Sequence, residues 1–376
     1  MKILHISLWP IDKKSIGGTE KYVVDLTTAL KKKGVLNKVL MLSGKSSSIN
    51  GVNYHALNIR NIDKIDEYSA KEIYFKNFNI KALIDFAKII NSNVDFSKYD
   101  IIHFNSLLFY FCAPNSKRVF TIHTNPKEFD QNWGIGSFEI MSNAIRNDKN
   151  TKSLFIAPSN YYADIFSNKF DKDVIVIPHA ISDLLISKKQ YNIPKSNDYI
   201  SILVPSRLEI KQKGQDLLLK SLAIASKKLP KVKVTFAGVD NQYMANIIKL
   251  TEIAQKSNID FEFKNFTRKE LIIAYLMSDL VVLPSRYESF GYSALESLSF
   301  GKKTVLSNIP TYKEIATGNS RAFIAKNTSL SALSEAILDA ISSPDMIEIN
   351  EAWSSKYDPD SWADNYMGCY KLCIKK

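Results

Sequence analysis

The sequence predicts an α/β protein of two successive doubly wound domains, each a parallel sheet wrapped by helices. Three observations predict it. Short apolar runs alternate with amphipathic stretches along the chain, which is the pattern of repeated βα units. The length of 376 residues is long for one domain and comfortable for two. The apolar pattern lapses once, around residues 187–198, into polar residues with one proline, which reads as a linker. The expected division is therefore residues 1–190, residues 191–358, and a closing helix over 359–376.

In the first domain the apolar runs predict strands at 3–8, 38–42, 101–105, 119–123, 154–158 and 174–178. The opening stretch, Met1 to Pro10, has too short an apolar region for a signal peptide and reads as the first strand. Helices are expected at 19–33, 70–91, 138–147 and 160–168. The first ends in Lys31-Lys32-Lys33, and cations suit the negative end of a helix dipole. In the second domain strands are expected at 200–205, 232–237, 260–264, 280–283 and 304–307. Helices are expected at 215–229, 243–257, 268–277, 292–300, 310–316 and 331–342. In the last segment, 359–374, Trp362, Tyr366 and Tyr370 recur every four residues and mark one apolar helix face.

Composition narrows the function. Hydrophobic content of 45% suits a globular protein with a sizeable core. No run of eighteen apolar residues suggests a membrane-spanning helix. Cys112, Cys369 and Cys373 show no metal or redox spacing, and they read as reduced packing thiols of a cytoplasmic protein. The net charge of +12 leans toward the N-terminal half. It favours anionic partners: membrane surface, nucleic acid or phosphorylated ligands. No zinc ligand set, RNA-binding aromatic signature or helix-turn-helix pattern accompanies it, so nucleic acid is set aside.

The chemistry concentrates in residues 279–302. An apolar run at 279–283 is followed by Pro284-Ser285-Arg286-Tyr287-Glu288-Ser289-Phe290-Gly291-Tyr292, and then by a helical pattern carrying Glu296. A glycine at a strand-to-helix corner lets backbone approach a ligand, and the free N–H groups of the helix start suit an anion. Glu288 on the loop and Glu296 two turns on can meet different parts of an extended ligand such as a nucleoside diphosphate sugar. The competing reading is local: Ser293-Ala294-Leu295-Glu296 also spells a capping box, with Ser293 as N-cap.

A second cluster follows the strand expected at 200–205. Arg207 offers a bidentate phosphate grip and Lys213 a point charge, and fixed cations stabilise a departing diphosphate without a metal. Lys211 reads as a solvated neighbour. In the first domain, Gly17-Gly18-Thr19 forms a βα turn that could aim helix N–H groups at an anion, although it lacks dinucleotide-fingerprint spacing. His103 and His123 fall at the C-terminal ends of expected parallel strands, where open α/β sheets bind ligands. A lone histidine there is also commonly structural, because imidazole satisfies strand-end carbonyls readily. Asp171-Lys172-Asp173 and Asp358-Pro359-Asp360 have the form of a metal-binding pair but sit where a polar turn and a helix cap are expected.

These segments together resemble the retaining family 4 glycosyltransferases, whose Glu-x7-Glu signature matches Glu288 to Glu296 with Phe290-Gly291 and the later Gly301-Lys302. Arg207-Leu208, Lys213-Gly214, Gly17-Gly18 and Thr121-Ile122-His123 match further family positions. Thr124 stands where the family commonly has Asp, and Pro178-His179-Ala180 where it often has Asn-Gly. The family's glycine-rich segment is reduced here to Gly238-Val239-Asp240. The resemblance implies the GT-B architecture, with two domains facing across a cleft and the last helix crossing back to the first domain. It also implies a nucleotide-sugar donor, UDP- or GDP-linked, held by the second domain. The acceptor, a glycan or a lipid-linked glycan, is held by the first.

By the resemblance, Glu288, Arg207, Lys213 and His123 serve the reaction, while Gly17, Gly18, Ser289, Phe290, Gly291, Tyr292 and Glu296 bind the donor; His123 would lie near the sugar and bond one of its hydroxyls, and His103 is the weaker candidate. No metal or other cofactor is expected. The implied activity is hexosyl transfer with retention, in lipopolysaccharide or capsule synthesis, by a cytoplasmic enzyme at the inner face of an anionic membrane. A nucleotide-sugar epimerase of the same architecture, or a non-catalytic nucleotide-sugar-binding protein, is the alternative.

Overall fold

The computed structural model describes residues 1–11, 17–57, 78–149, 152–181, 198–238, 243–257, 259–344 and 351–375. Much of the linker expected at 187–198, the first part of the helix expected at 70–91, and Val239-Asp240 lie outside the described residues. The chain divides into two compact units, one formed by Met1–Ser182 with Tyr357–Lys376 and the other by Asp183–Lys356.

The first unit is built on an eight-stranded sheet. Its strands are β1 (Lys2–Ser7), β2 (Leu36–Met41), β3 (Ser47–Ile49), β4 (Val52–Ala56), β5 (Ile101–Phe104), β6 (Arg118–Thr121), β7 (Ser153–Ala157) and β8 (Val174–Val176). They run in the order β3-β4-β2-β1-β5-β6-β7-β8. All neighbours are parallel except β3 and β4, a hairpin closed by Asn50-Gly51 with φ of 51° and 73°. Two successive positive φ values match the twist of a two-residue hairpin turn, and Asn-Gly is its commonest sequence. β1, β5 and β6 are buried almost throughout because helices cover both faces, so they read as continuous apolar runs rather than alternating ones. A helix not expected from periodicity, Pro126–Trp133, starts at a full capping box between Asn125 and Glu128.

The terminal helix, Pro359–Lys375, belongs to this unit. It lies against the helix Gly18–Lys32 and against β5, β6 and β7. Trp362, Tyr366, Cys369, Tyr370 and Cys373 form its buried face. Asp358 Oδ2 accepts from Ser361 N–H at 2.9 Å and so caps the helix start.

The second unit carries a six-stranded sheet: β9 (Ile200–Val204), β10 (Val232–Ala237), β11 (Asp260–Lys264), β12 (Leu280–Leu283), β13 (Lys303–Leu306) and β14 (Ala322–Ile324). The order is β11-β10-β9-β12-β13-β14, with every neighbour parallel. Ile202, Val204, Val234, Phe236, Val282 and Val305 form its centre, beneath Leu218, Leu222 and Ile337 of the covering helices. The sequence thus predicts the α/β class and both parallel sheets, and the structure has them.

Candidate functional site

In the second unit the chain runs from β9 outward through β10 to β11, then returns so that β12 pairs with the other side of β9. Loops leaving the C-terminal ends of β9 and β12 therefore diverge, and such a switch of direction opens a crevice that suits a ligand. The loop after β9 carries Arg207 and Lys213, and the loop after β12 carries Glu288. Strand order alone brings these residues together across 75 positions of sequence.

Lys213 Nζ donates to both carboxylate oxygens of Glu288, at 2.7 and 3.0 Å. Both side chains are mostly buried, 16% and 11% exposed, so this pair is screened less than a surface one. Ser285 Oγ donates to Glu288 Oε1 at 2.8 Å, and Tyr312 OH reaches the same oxygen at 3.4 Å and Ser285 Oγ at 3.0 Å. Burial, with the nearby Glu288 charge, pushes the Tyr312 phenol well above its ordinary pKa, so it stays a donor. Glu288 is thus held by three side chains before any ligand arrives. Arg286 pins the two loops further. Its guanidinium grips Asp216 with two contacts of 3.0 Å and donates to Ile210 O at 2.6 Å, and its own N–H donates to Gln212 O at 2.7 Å.

Two glycines permit this closeness. Gly214 has φ of +65°, and a Cβ there would stand 2.1 Å from Pro284 O, so only glycine lets the first loop lie against the second. Gly291 has φ of +108°, and its missing Cβ would meet the Tyr312 ring at 2.7 Å. Arg207 is the more open cation. Its side chain is 56% exposed, 3.6 Å from Glu209 and 3.4 Å from Gln212 Oε1. Gln215 holds that loop by donating to Arg207 O at 2.6 Å and to Ser206 Oγ at 3.0 Å.

The capping box spelled by Ser293 to Glu296 does not form. The helix Tyr292–Ser299 is N-capped by Gly291 with no side-chain bond. Ser293 Oγ instead donates to Pro205 O at 2.7 Å, tying the helix start to the end of β9. Glu296 is 5% exposed and turns away from the cap. It pairs with Arg268 at 2.7 Å and accepts from Tyr275 OH at 3.1 Å. Sequence periodicity could not have found Arg268, Tyr275, Ser285 or Tyr312, because each meets its partner through the packing of a separate element. Phe290 is buried and packs edge to face with Tyr292, with ring centres 5.6 Å apart, and Ser289 lies in the same turn.

In the first unit His103 and His123 have different surroundings. His103, the weaker sequence candidate, is structural. Its Nδ1 is 2.7 Å from Tyr370 OH and its Nε2 2.8 Å from Thr121 Oγ1, so both ring nitrogens are engaged. Tyr22 OH joins the same cluster, donating to Tyr366 OH at 2.7 Å and lying 3.1 Å from Thr121 Oγ1. His123 packs edge-on against Tyr22 at 4.4 Å, and its enclosed Nε2 has no partner among the described residues. Burial lowers its pKa to about 3, so it is neutral at working pH. Gly17 and Gly18 open the helix Gly18–Lys32, with Gly17 as a backbone N-cap.

Comparison with known proteins follows the same division. Residues 16–183 match the family described as Glycosyltransferase Family 4, and residues 186–356 match Glycosyl transferases group 1. The chain is 24% identical to a 41.2 kDa protein from the cps region of Klebsiella pneumoniae, over 81% of this chain and 88% of that one. It is 30% identical to the O-antigen biosynthesis glycosyltransferase WclY of Escherichia coli, over 45% and 46% of the two chains. The structure is similar to the crystal structure of a glycosyltransferase from Rickettsia africae, with TM-score 0.74 and 17% identity over 100% of this chain and 99% of that one.

Proposed function

Because the chain belongs to the group 1, family 4 glycosyltransferases and has their GT-B fold, we propose that it moves a hexose, with retention, from a nucleoside diphosphate sugar to a hydroxyl of a growing surface glycan. The observation that carries this reading is the Lys213–Glu288 pair at the switch point, with Arg207 beside it on the same loop. A carboxylate alone would repel a diphosphate. Paired with Lys213 it can accept hydroxyl protons from the donor sugar, while the third ammonium N–H remains for a phosphate oxygen. Arg207 adds a planar, bidentate phosphate grip. The turn through Ser289, Phe290, Gly291 and Tyr292 offers its backbone N–H groups to the diphosphate, and Glu296 takes the ribose. Gly17 and Gly18 stand at a second helix start suited to phosphate oxygens.

No carboxylate is placed as a covalent nucleophile in this reading, since Glu288 is committed to Lys213, Ser285 and Tyr312. The transfer is front-faced: the bond from the sugar's anomeric carbon to the phosphate oxygen breaks, and the acceptor oxygen bonds to that carbon from the same side. The acceptor's proton passes to the leaving phosphate. Charge gathering on that phosphate is met by Arg207 and Lys213, so no metal is required. The likeness to relatives from a cps region and from O-antigen synthesis supports a surface polysaccharide acceptor, lipid-linked lipopolysaccharide or capsule glycan among them. Among the described residues no helix is long and apolar enough to cross a membrane. Peripheral attachment to an anionic inner face would then rest on the basic surface.

The test is a transfer assay over a panel of UDP- and GDP-sugars with and without glycan acceptors. Arg207→Ala and Lys213→Ala are each expected to lower turnover by about 10²–10³-fold, as loss of one preorganised charge-stabilising group does. Transfer is expected to persist in excess chelator. Near-native rates in both folded variants would remove the site, and activity restored only by magnesium or manganese would remove metal independence. Product that depends on no acceptor would point to the epimerase alternative, and nucleotide binding without turnover to the binding protein.

A further inference from the structure

Glu296 is held before any ligand arrives, and one face of a separate helix holds it. Arg268 and Tyr275 stand seven residues apart on the helix Arg268–Met277, so they share a face. Arg268 pairs with Glu296 Oε1 at 2.7 Å, and Tyr275 OH donates to Glu296 Oε2 at 3.1 Å. Each carboxylate oxygen thus has one partner from that face. The helix follows β11 in a sheet whose neighbouring strands are all parallel. Its first residue therefore lies at the same C-terminal edge as the loops after β9 and β12, which is the edge where such sheets take ligands.

The helix itself gives no reason for a cation at Arg268. Its start is closed by a capping box between Thr267 and Glu270. A positive charge in the first turn also faces the positive end of the helix dipole. The reason lies in Glu296. Its side chain is 6% exposed, and a carboxylate so enclosed needs a countercharge and bonded oxygens. Burial, with the nearby Glu296 charge, pushes the Tyr275 phenol well above its ordinary pKa, so it stays a donor. An ionised carboxylate has about four acceptor positions, shared equally between its oxygens. Arg268 and Tyr275 take one on each oxygen and leave one on each. Two adjacent acceptors held in a fixed plane suit a pair of neighbouring hydroxyls. The cis 2′,3′-diol of a ribose fills both positions, and a 2′-deoxyribose fills only one.

We infer that Arg268 is a positioning residue for nucleotide selection: together with Tyr275 it fixes the Glu296 carboxylate, so that the site distinguishes a ribonucleoside diphosphate from its 2′-deoxy counterpart. The inference rests on the reading of Glu296 as the ribose contact and adds the residue that makes this contact selective.

The experiment is calorimetry on the full chain, with UDP and GDP, their 2′-deoxy counterparts and inorganic pyrophosphate as probes. The wild-type protein is expected to prefer the ribonucleotide by about tenfold or more, the usual scale of one hydrogen bond to a charged group. Arg268→Met keeps an unbranched stem and the capping box but removes the guanidinium. It is expected to shrink that preference to about threefold or less, with pyrophosphate affinity unchanged. Tyr275→Phe is the second variant, because loss of Arg268 leaves a buried charge unpaired and could unsettle the fold. It removes only a neutral hydroxyl and is expected to shrink the preference in the same direction. Thermal melts identify which variants remain folded. An ion pair that only staples two helices together would weaken both kinds of nucleotide alike. Wild-type preference in the folded variants, or pyrophosphate binding lost in step with nucleotide binding, would overturn the positioning role and leave the ribose contact standing. Equal wild-type binding of the ribo and deoxy forms, or no nucleotide binding at all, would overturn the ribose contact and the inference with it.

Discussion

Glu296 and Glu288 are eight positions apart in sequence and differ in what holds them. Glu296 sits between Arg268 and Tyr275, and Glu288 among Lys213, Ser285 and Tyr312. With the helix start capped by Gly291, Glu296→Gln has no cap to disturb. It is expected to leave that helix in place yet weaken nucleoside diphosphate binding, because the new amide N–H₂ cannot accept a ribose hydroxyl. Calorimetry showing wild-type affinity would exclude the ribose role. Tyr312 is a positioning residue: its ring lies against Gly291 and its hydroxyl reaches Ser285 and Glu288. Tyr312→Phe keeps the ring and loses the hydroxyl. We expect kcat to fall about fivefold, in keeping with one hydrogen bond of roughly 1 kcal/mol, with donor KM little changed. A purely structural role would move the melting temperature and leave that kcat-against-KM split unmoved. Glu288 and Glu296, Arg207 and Lys213 were all legible as residue types at telling positions. Their partners were not, because Arg268, Tyr275 and Tyr312 come from other helices and no local spacing announces them.

The loops between elements carry the site, and glycine decides how closely they approach. Gly214 separates the short helix Ile210–Lys213 from the helix Gln215–Ala225, with φ of +65° and Pro284 O where a Cβ would stand. Gly214→Ala adds both backbone strain and a collision with backbone. Urea unfolding of the second unit is expected to show a loss above about 1 kcal/mol. Turnover should fall with it, since the displaced loop carries Lys213. A variant with wild-type stability would mean that the two loops are not held together in this way. The helices Arg268–Met277 and Pro310–Ala316 were readable to the residue because each begins with a strong local signal, a capping box in the first and a proline in the second. The hairpin of β3 and β4 was passed over because its strands are too short for an alternating pattern to stand out, although Asn50-Gly51 signals the turn. The helix Pro126–Trp133 was likewise too short for periodicity to reveal.

At the scale of the molecule, the first unit holds the buried His5, His103 and His179 and the half-buried His123 as neutral rings beside Tyr22 and the terminal helix. Burial lowers the pKa of His5 to about 4 and that of His123 to about 3, and lowers His103 and His179 well below the usual value. A histidine whose folded pKa is depressed binds more protons when unfolded. Its stabilising contribution is complete above the unfolded pKa near 6.5 and is lost as pH falls toward the folded value. At pH 5 the loss is on the order of 1–2 kcal/mol for each such ring. The first unit is therefore expected to melt at lower temperature at pH 5 than at pH 7.5. Because the chain has two units, separate probes for each are needed rather than a single two-state fit. A melting temperature of the first unit unchanged between these pH values would show that the histidines are not held neutral.

The sequence by itself determined the α/β class, the two series of βα units and the set of acidic and basic residues available for chemistry. These follow from hydrophobic periodicity, glycine and proline placement and short motifs, all of them local. The tertiary structure decided which of those residues act together. The return of β12 beside β9 places Lys213 against Glu288, and the position of β6 beside β5 aligns Asn105 with the loop that carries His123. The same packing converts the apparent capping box into a tie from Ser293 to Pro205, and assigns His103 to the bed of the terminal helix. Strand order is set by how all the helices cover both faces of a sheet at once, so no single stretch of sequence contains it.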